Sequence, residues 1–506
     1  MNLMMLLEMA AEGMPDRVAV GSREGGITYG ELFARAGAAA SRFAAADGER
    51  VVLCDESSPA VPISIFGAAW AGLPYVPLNY RLPDDDLRSL AERSSPAVAI
   101  ADPDGCGRLD PVAGVEAVPR DPFVDDPAGP AAGTTPGDWS MEGDDIAVLL
   151  FTSGTTGTPK SAVLRHRHLV SYILGSVEFM GAGDDEATIV SVPPYHVAGV
   201  ASMLSSIYAG RRIVQLPRFD AAEWIDTVER EGVTHAMLVP TMLSRIVDEL
   251  DARGGEPILG LRALSYGGGK MPSPVIRRAL ELFPITNFVN AYGLTETCST
   301  IALLGPDEHR IAQYSDDPAE QARLSSAGLP LPGVEVSIRD DDGNELPVGE
   351  VGEIFVRGEQ VSGEYLEKGS LLDPAGWFPT RDGGFVDEGG YLFVQGRNDD
   401  VIIRGGENMS PGEIEDVVVT HPAVKEAAAI GVPCAEWGEK VVVAVVGYGE
   451  PVDADEIREL VRSKLRSSRV PEHVVTIDEL PWNDTGKLLR RVLRDDLAHL
   501  GDGSTD

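Results

Sequence analysis

The side chains best suited to chemistry form a run of hydroxyls and glycines that ends in a lysine. The run reads TSGTTGTPK, from Thr152 to Lys160. Glycines let backbone N–H groups approach an anion, hydroxyls donate hydrogen bonds, and Lys160 adds positive charge. The run therefore predicts a loop around the oxygens of a polyphosphate, although an ordinary Ser/Thr/Gly turn has the same composition. It is not a Walker A loop, because Pro159 stands where that motif has glycine.

A second group of reactive side chains lies in NAYGLTE (290–296). Tyr292 offers a flat face for a base, Thr295 a hydroxyl for a phosphoryl group, and Glu296 a hard oxygen ligand for Mg²⁺. An isolated string of this kind is also typical of a buried aromatic residue beside a surface glutamate. The motifs elsewhere in the chain decide between these two interpretations of NAYGLTE.

Those motifs continue in a fixed order along the chain. They are PPYHVAG (193–199), SYGGGK (265–270), NAYGLTE (290–296), GWFPTRDGGF (376–385), GRNDDVIIRGGENMSPGEIE (396–415), AEWGE (435–439) and NDTGK (483–487). In order and spacing, over essentially the whole chain, they resemble the adenylate-forming superfamily of acyl-CoA synthetases, peptide-synthetase adenylation domains and luciferases. The resemblance implies that ATP and Mg²⁺ activate a carboxylic acid as acyl-AMP. A thioester then forms, with CoA as the expected acceptor.

The resemblance also implies which residues contact the nucleotide and CoA. Asn290 and Tyr292 are expected at the adenine and Asp382 and Arg397 at the ribose. Trp437 stands where such enzymes stack the CoA adenine. The full set of expected contacts is Thr152, Ser153, Gly154, Thr155, Thr156, Gly157, Lys160, Gly268, Gly269, Lys270, Asn290, Ala291, Tyr292, Gly293, Asp382, Arg397, Gly405, Gly406 and Trp437. Gly405 and Gly406 suit close approach of a pantetheine arm, but a plain turn before a helix would equally use them.

Catalysis, by the same resemblance, is expected from Lys487, Thr295 and Glu296, with Glu296 holding Mg²⁺. Attack of a carboxylate on the α-phosphorus builds negative charge, which Lys487 would stabilise. Asp399 matches a hinge that lets a small domain present different faces in the two half-reactions. The acyl pocket is expected around His196, Val200 and Gly267, whose small or uncharged side chains favour a hydrophobic carboxylic acid.

Two departures from the family pattern affect these expectations. Arg381 stands where the family has glycine in Thr-Gly-Asp, and its side chain could point outward or contact a phosphate. Glu472 replaces a basic residue that is frequent near the CoA phosphates, while Arg469 is retained, and a carboxylate repels a polyphosphate. Transfer of the adenylate to an acyl carrier protein or a partner enzyme is therefore the alternative to CoA. A non-catalytic nucleotide-binding relative and a luciferase-like oxidoreductase are the remaining alternatives.

Short apolar runs that alternate with helical patterns surround these motifs. Strand-like segments at 146–151 and 262–266 each precede an informative loop, and the strand-like segment 233–239 precedes a helical pattern at 240–250. This order predicts a mostly parallel α/β sheet with ligand loops at its strand ends. From about 325 the pattern alternates around a D-D-G-N turn, which predicts a β-hairpin. We expect an N-terminal adenylation domain (1–397, with a β-rich subdomain from about 325) and a small mobile C-terminal α/β domain (398–506).

Composition narrows the class of protein further. The 506 residues include 42 Lys and Arg against 80 Asp and Glu, a net charge of −38, which disfavours a nucleic-acid partner. Four well-separated cysteines are typical of a reducing cytoplasm. The charge-free stretch 57–80 contains four prolines and predicts a buried helix and strand, with no membrane span. A homodimer is the default oligomeric expectation.

Overall fold

The computed structural model describes residues 1–133, 136–152, 159–405, 407–449, 452–483 and 488–501. The α-helices are α1 Met4–Gly13, α2 Tyr29–Ala45, α3 Ala60–Ala71, α4 Asp84–Ser94, α5 Pro103–Leu109, α6 Arg120–Asp125, α7 His166–Ser176, α8 Val197–Ala209, α9 Ala221–Glu231, α10 Pro240–Ala252, α11 Ser273–Leu282, α12 Pro306–Tyr314, α13 Pro318–Ala322, α14 Pro411–Val418, α15 Ala454–Lys464 and α16 Arg490–Asp496.

The β-strands between these helices are short and mostly buried. They are β1 Val18–Val20, β2 Ile27–Thr28, β3 Arg50–Cys54, β4 Tyr75–Pro77, β5 Ala97–Ala101, β6 Val115–Pro119, β7 Ile146–Thr152, β8 Lys160–Arg165, β9 Ala187–Val190, β10 Arg212–Gln215, β11 His235–Leu238, β12 Ala263–Gly267, β13 Asn287–Leu294, β14 Ser299–Leu304, β15 Leu329–Pro330, β16 Glu335–Arg339, β17 Gly352–Arg357, β18 Glu364–Tyr365, β19 Gly369–Ser370, β20 Phe378–Val386, β21 Leu392–Arg397, β22 Ile402–Arg404, β23 Glu407–Met409, β24 Val424–Cys434, β25 Gly438–Gly447 and β26 His473–Thr476.

Two large sheets form the N-terminal part of the fold. One has the order β19-β18-β8-β7-β4-β3-β5-β6 and the other β15-β14-β13-β12-β11-β9-β10-β1-β2. Pairs at the centre of each sheet are parallel, whereas β7–β8, β13–β14 and the pairs beyond them are antiparallel. Helices cover the parallel strands because both faces of such a sheet are apolar. The α/β expectation is confirmed.

The charge-free stretch folds as a buried helix and strand. Residues Ala60 to Ala69 of α3 are all buried, and β4 is buried beside β3 and β7. A helix that is apolar on every side needs a protein core around it. No helix in the described parts of the chain is long and apolar enough to cross a membrane.

A smaller antiparallel sheet, β16-β17-β20-β21, follows the two large ones. The predicted hairpin is confirmed, with Glu335 opposite Arg357 and Arg339 opposite Glu353. Its turn closes on Asp340, whose Oδ1 accepts hydrogen bonds from the backbone N–H groups of Asp342 (3.0 Å) and Asn344 (2.8 Å). An aspartate that binds its own following backbone is the usual turn-forming interaction of this residue.

The C-terminal domain packs α14, α15 and α16 on a five-stranded sheet formed by β22 to β26. β24 and β25 pair along ten residues each and supply most of its apolar core. Polar contacts join this domain to the preceding part of the chain. Lys270 Nζ lies 2.5 Å from Asp416 Oδ2, and Lys425 Nζ lies 2.7 Å from Asp248 Oδ2.

Two antiparallel strand pairings matter for the site. The glycine-rich run after β7 is followed by the antiparallel strand β8. The AYGL part of NAYGLTE lies inside β13. β13 extends that far because β14 pairs with it from Asn290 to Leu294 across a bulge at Tyr292 and Gly293. That pairing depends on residues further along the chain.

Candidate functional site

The first part of the site is the open end of the β7–β8 hairpin. Thr152 and Lys160 are directly opposite in the strand register, so they stand at the two ends of the glycine-rich run. Lys160 Nζ lies 5.9 Å from the centre of the Tyr365 ring on β18. Partial burial, together with the nearby charges of Lys368 and Arg381, lowers the Lys160 pKa. The hairpin therefore brings a hydroxyl and several positive charges to one place.

Glu296 lies at the next part of the site, in a short 3₁₀ turn after β13. It is 8 % exposed, and its carboxylate accepts a hydrogen bond from the Tyr365 hydroxyl. Its backbone carbonyl is held by the N–H groups of Ser362 (2.9 Å) and Gly363 (3.0 Å). Burial and the Glu296 charge raise the Tyr365 pKa, so this phenol stays protonated and remains a donor. The side chain and backbone of Glu296 are thus fixed by the same segment, 362–365.

The turn that carries Glu296 needs an unusual backbone. Cys298 (φ +57°) and Ser299 (φ +105°) both lie in the region that favours glycine. The Gln360 amide nitrogen donates to the carbonyls of Thr297 (3.1 Å) and Thr300 (2.7 Å). A Cβ on Gly293 would collide with the Ser299 carbonyl oxygen, so the close return of the chain requires glycine there. These contacts hold Glu296 facing the hairpin.

Asp382 is the centre of the third part of the site. This carboxylate is 5 % exposed, accepts a hydrogen bond from the Tyr292 hydroxyl (2.6 Å) and pairs with Arg397 Nε (3.0 Å). Thr380 supports the group, because its carbonyl accepts from Arg397 Nη1 (3.1 Å). Burial, followed by the Asp382 charge, raises the Tyr292 pKa well above its ordinary value. The expected ribose pair is therefore together, and Tyr292 joins it through its hydroxyl.

The second and third parts of the site are adjacent. Burial alone would lower the pKa of Arg397, but the charges of Asp382 and Glu296, with Tyr292 and Tyr365, raise it. A single guanidinium thus lies within electrostatic reach of both carboxylates. The arrangement suits a ligand that carries a diol at one end and phosphates at the other.

The glycine-rich segment after β12 approaches the backbone of β13. A Cβ on Gly267 would collide with the Ala291 carbonyl oxygen, and Gly268 has φ +82° with Val239 as its neighbour. Asn290, expected at the adenine, donates its amide to the Ser326 carbonyl (2.8 Å). The expectation of small residues along this wall therefore agrees with the close packing of two strand ends.

Lys270 does not stand free at the nucleotide site as expected. Its ammonium pairs with Asp416 (2.5 Å) and donates to the Gly412 carbonyl (3.3 Å), both in α14 of the C-terminal domain. The charge of Asp416 and the carbonyl oxygen of Gly412 satisfy the lysine. In this arrangement Lys270 connects the two parts of the molecule.

Two of the residues expected at the acyl pocket, His196 and Val200, lie at the start of α8. His196 precedes this helix, is partly buried, and its Nδ1 makes no hydrogen bond with the described residues. Burial lowers its pKa to about 4, so the imidazole is neutral at pH 7. Val200, one turn later, is 1 % exposed and belongs to the main core, so it packs behind His196 and does not form an open wall. A Cβ on Gly199 would lie 2.6 Å from the Pro193 carbonyl oxygen.

In the C-terminal domain, Gly405 and Trp437 are neighbours. The Gly405 N–H donates to the Trp437 carbonyl (2.6 Å), and the indole, 47 % exposed, lies beside Gly405. Glu472 has two partners inside the domain: it pairs with Arg404 and accepts a hydrogen bond from the Val441 N–H (2.9 Å). The carboxylate that was expected to repel CoA phosphates is therefore neutralised within the domain.

Arg469, the retained base, is also occupied. It is 9 % exposed, pairs with Glu407 and has its Nε 3.1 Å from Glu413. In this arrangement it holds β23 to the start of α14 and is not available to a phosphate.

Some expected site residues lie outside the described residues. They are Ser153, Gly154, Thr155, Thr156, Gly157, Gly406 and Lys487. Gly269, Thr295 and Asp399 are described: Gly269 follows β12, Thr295 begins the 3₁₀ turn of Glu296, and Asp399 is exposed in the turn after β21.

The sequence did not identify Tyr365, Gln360 or Lys368 as site residues. Tyr365 is 69 residues from Glu296 in the chain, and Gln360 is 60 from Thr300. Neither Tyr365 nor Gln360 stands in a local sequence pattern that distinguishes it from an ordinary strand or loop residue. The run of a glycine, an aromatic residue and charges in SGEYLEKG was the only available signal.

The oxygen ligands at this site suit a magnesium ion that arrives bound to a nucleotide. Among the described residues, no three His, Cys, Asp or Glu side chains form a metal-binding group. Magnesium is usually held by one or two carboxylates together with substrate phosphates. Glu296, fixed by Tyr365 and facing the Thr152 end of the hairpin, is such a ligand. Magnesium therefore fits this site.

Comparison with known proteins agrees with this geometry. Residues 7–366 match the family model described as AMP-binding enzyme, and residues 413–487 match the AMP-binding enzyme C-terminal domain. The chain belongs to this family of adenylate-forming enzymes.

Curated relatives identify the branch of the family. The chain is 32 % identical to a 2-succinylbenzoate–CoA ligase of Bacillus licheniformis (96 % of this chain, 98 % of that one). It is also 32 % identical to a feruloyl-CoA synthase of an Amycolatopsis species (94 % and 95 %). The o-succinylbenzoate CoA synthetase of Bacillus subtilis, solved with its acyl-adenylate intermediate, superposes with a TM-score of 0.83 at 27 % identity (97 % and 98 %). The protein is an AMP-forming acid–thiol ligase of the acyl-CoA synthetase class.

Proposed function

We propose that this enzyme joins an aromatic monocarboxylic acid to CoA at the expense of ATP. The observation that carries the proposal is the continuous group of Asp382, Tyr292 and Arg397 with Glu296 and Tyr365, because it can bind a ribose and a magnesium–polyphosphate side by side. Two similar relatives are named for aromatic acids: the feruloyl-CoA synthase for an acid with one carboxylate and the 2-succinylbenzoate–CoA ligase for an acid with two. The aromatic class of the substrate rests on them.

A monocarboxylic acid is favoured by the charges around the expected acyl pocket. His196 is neutral at pH 7, and Gly199, Gly267 and Gly268 have no side chain to ionise. Lys270, which follows the glycines, is paired with Asp416. A second carboxylate on the acid would lack a cation among these described residues, so its desolvation would be unfavourable.

In the first half-reaction, a carboxylate oxygen of the acid attacks the α-phosphorus of ATP. The bond from that phosphorus to the bridging oxygen breaks, and pyrophosphate leaves with the electron pair. Asp382 would accept the ribose hydroxyls, and Arg397 would pair with that carboxylate. Lys487 would stabilise the negative charge on the attacking and α-phosphate oxygens. Glu296 would hold a magnesium ion, which would supply positive charge to the phosphates.

In the second half-reaction, a thiolate attacks the acyl carbonyl carbon and AMP leaves. We propose a hinge at Asp399 for this step. Arg397 is fixed to Thr380 and Asp382 on one side, whereas Asp400 is fixed to Arg494 on the other, with its carbonyl accepting from Arg494 Nη2 (3.2 Å). The exposed residue between two anchored neighbours is the one best placed to absorb a change in φ and ψ.

CoA as the acceptor is supported by the exposed Trp437 indole beside Gly405 and by the neutralisation of Glu472 by Arg404. An acyl carrier protein or a partner enzyme is the alternative acceptor. A stacking indole at this position suits the adenine of CoA, and a carrier protein does not supply a free base there.

The test is pyrophosphate release with a panel of aromatic, fatty and dicarboxylic acids, with and without CoA, followed by mass spectrometry of the products. We expect aryl-CoA and AMP with aromatic monocarboxylic acids. Acyl-AMP that accumulates in the presence of CoA would contradict the acceptor, and a preference for fatty or dicarboxylic acids would contradict the substrate class.

The role of Lys487 needs its own variant. Lys487→Ala should slow adenylation by orders of magnitude and leave ATP binding nearly unchanged, because the charge that it stabilises develops only in the transition state. Stopped-flow adenylation rates and calorimetric ATP binding would measure the two quantities. An equal loss in both would place Lys487 in ground-state binding.

A further inference from the structure

Two carboxylates and two guanidiniums form a cluster inside the C-terminal domain. Arg490 and Arg494 lie on α16, Glu415 lies on α14, and Asp400 is the residue after the proposed hinge. The cluster is largely buried, with 17 % of the Arg490 side chain and 13 % of the Glu415 side chain exposed. Because α16 begins three residues after Lys487, the cluster lies at the end of the segment that carries the expected catalytic lysine.

Arg490 occupies the centre of this cluster. Its Nη2 lies 2.5 Å from Glu415 Oε1 and its Nη1 lies 3.7 Å from Asp400 Oδ2, while its Nε donates to the Ala429 carbonyl (3.4 Å). Glu415 is itself oriented, because its Oε1 accepts a hydrogen bond from the Ala429 N–H (2.8 Å). One guanidinium therefore joins α16 to α14, to β24 and to the residue after the hinge.

Arg494, one turn later on α16, makes two further contacts with Asp400. Its Nη2 donates to the Asp400 carbonyl (3.2 Å), and its Nη1 lies 3.5 Å from Asp400 Oδ1. Both the backbone and the side chain of Asp400 are thus bound to α16. The start of α16 is therefore fixed to the chain on the C-terminal side of the proposed hinge.

The chain that leads into the lysine-bearing segment is anchored as well. The Leu489 N–H donates to the Pro481 carbonyl (2.8 Å), so the chain entering the segment lies beside the chain leaving it. The Trp482 indole Nε1 donates to Glu426 Oε2 on β24 (3.1 Å). Both ends of the segment are therefore attached to the domain, one through Trp482 and the other through α16.

We propose that Arg490 and Arg494 are positioning residues for Lys487 in the adenylation step. Three residues of chain span at most about 10 Å, so the place of Arg490 limits where the Lys487 ammonium can lie. A displacement of about 1 Å at a reacting group can cost roughly 100-fold in rate. The proposal rests on the adenylation reaction and the role of Lys487 proposed above, and it adds two residues that act through that lysine.

The test measures single-turnover pyrophosphate release with ATP and the acid of the panel that releases it fastest. Arg490→Gln should slow this step by roughly 10- to 100-fold. Arg490→Lys should slow it less, because lysine keeps the charge and loses only the forked geometry. Arg491→Gln is the matched control: Arg491 is 81 % exposed on the same helix, so this variant should release pyrophosphate at the parental rate.

A double variant separates positioning from a general loss of structure. When Lys487→Ala is already present, Arg490→Gln should slow pyrophosphate release no further, because no ammonium is left to position. A further slowing equal to that of Arg490→Gln alone would overturn the proposal, as would a parental rate in Arg490→Gln. If Arg490→Gln does not fold, Arg494→Gln, which removes only the contacts with Asp400, takes its place in both comparisons. A parental rate in Lys487→Ala would instead contradict the proposed function.

Discussion

Tyr365→Phe isolates one hydroxyl in the magnesium site. The tyrosine donates to the Glu296 carboxylate, while its ring lies under Lys160. Phenylalanine keeps the ring and its contact with Lys160 and removes the hydroxyl, with its hydrogen bonds to Glu296 and Thr152. The backbone of Glu296 stays fixed by Ser362 and Gly363, so the fold around it should be retained.

The expected size follows from the contact that is lost. Within the described residues, no other side chain donates to the Glu296 carboxylate. A hydrogen bond to a charged group contributes about 1.5–3 kcal/mol. Losing a partner that orients a metal ligand typically lowers metal affinity by roughly 10- to 100-fold. Tyr365→Phe should therefore weaken binding of magnesium–ATP by about 10- to 100-fold.

Calorimetry of ATP binding, once with Mg²⁺ and once with EDTA, separates the metal from the nucleotide. We expect the loss with Mg²⁺ only. Tyr448→Phe, at an exposed tyrosine of the C-terminal domain, is the control for removal of a phenol and should bind both forms normally. Equal weakening in Mg²⁺ and in EDTA would show that Tyr365 acts on the nucleotide or the fold, and the reasoning from Glu296 would be refuted.

Three further changes test the ribose site, the hinge and the core. Asp382→Asn should weaken the binding of ATP by roughly 10- to 100-fold in the same calorimetric assay, because a neutral amide accepts hydrogen bonds from the ribose hydroxyls less strongly than a carboxylate. An unchanged affinity would contradict the ribose assignment. Asp399→Pro should slow thioester formation more than adenylation in single-turnover assays, and equal slowing would contradict the hinge. His166 is buried, with a pKa of about 4 against about 6.5 when unfolded. The contribution of the neutral His166 to the free energy of unfolding is complete above pH 6.5 and is lost as the pH falls towards 4. At pH 5 the loss is roughly 2 kcal/mol. Urea unfolding at pH 7 and pH 5 should show that the free energy of unfolding falls by roughly 2 kcal/mol less in His166→Gln than in the parent enzyme. An equal fall in both proteins would contradict this prediction.

Local sequence signals predicted the elements that depend on neighbouring residues. The D-D-G-N turn forms because Asp340 binds its own following backbone, and α11 begins at Ser273–Pro274 because proline suits the first turn of a helix. The motif order also named Asp382, Arg397 and Glu296, which the fold brings to one site.

Contacts between distant segments could not be read in the same way. Glu296 meets Tyr365 across 69 residues, and Lys270 meets Asp416 across 146. Lys270 followed three glycines in a motif expected to bind nucleotide, and nothing near it in the chain indicated a partner in α14. The ion pair between Glu472 and Arg404 could not be predicted for the same reason, because Arg404 lies on a different strand.

Among the described residues, two ion pairs join the C-terminal domain to the preceding part of the chain. Their strength influences how readily the domain can separate from that part. Lys270–Asp416 and Lys425–Asp248 are both partly exposed. Pairs of this kind contribute about 0–1 kcal/mol each and weaken further in salt. The hinge proposed at Asp399 requires the C-terminal domain to reorient between the two half-reactions, and a large apolar interface would have to be exposed to water each time. Weak, salt-sensitive ion pairs would not oppose that movement strongly, so the proposed cycle would change in rate with ionic strength.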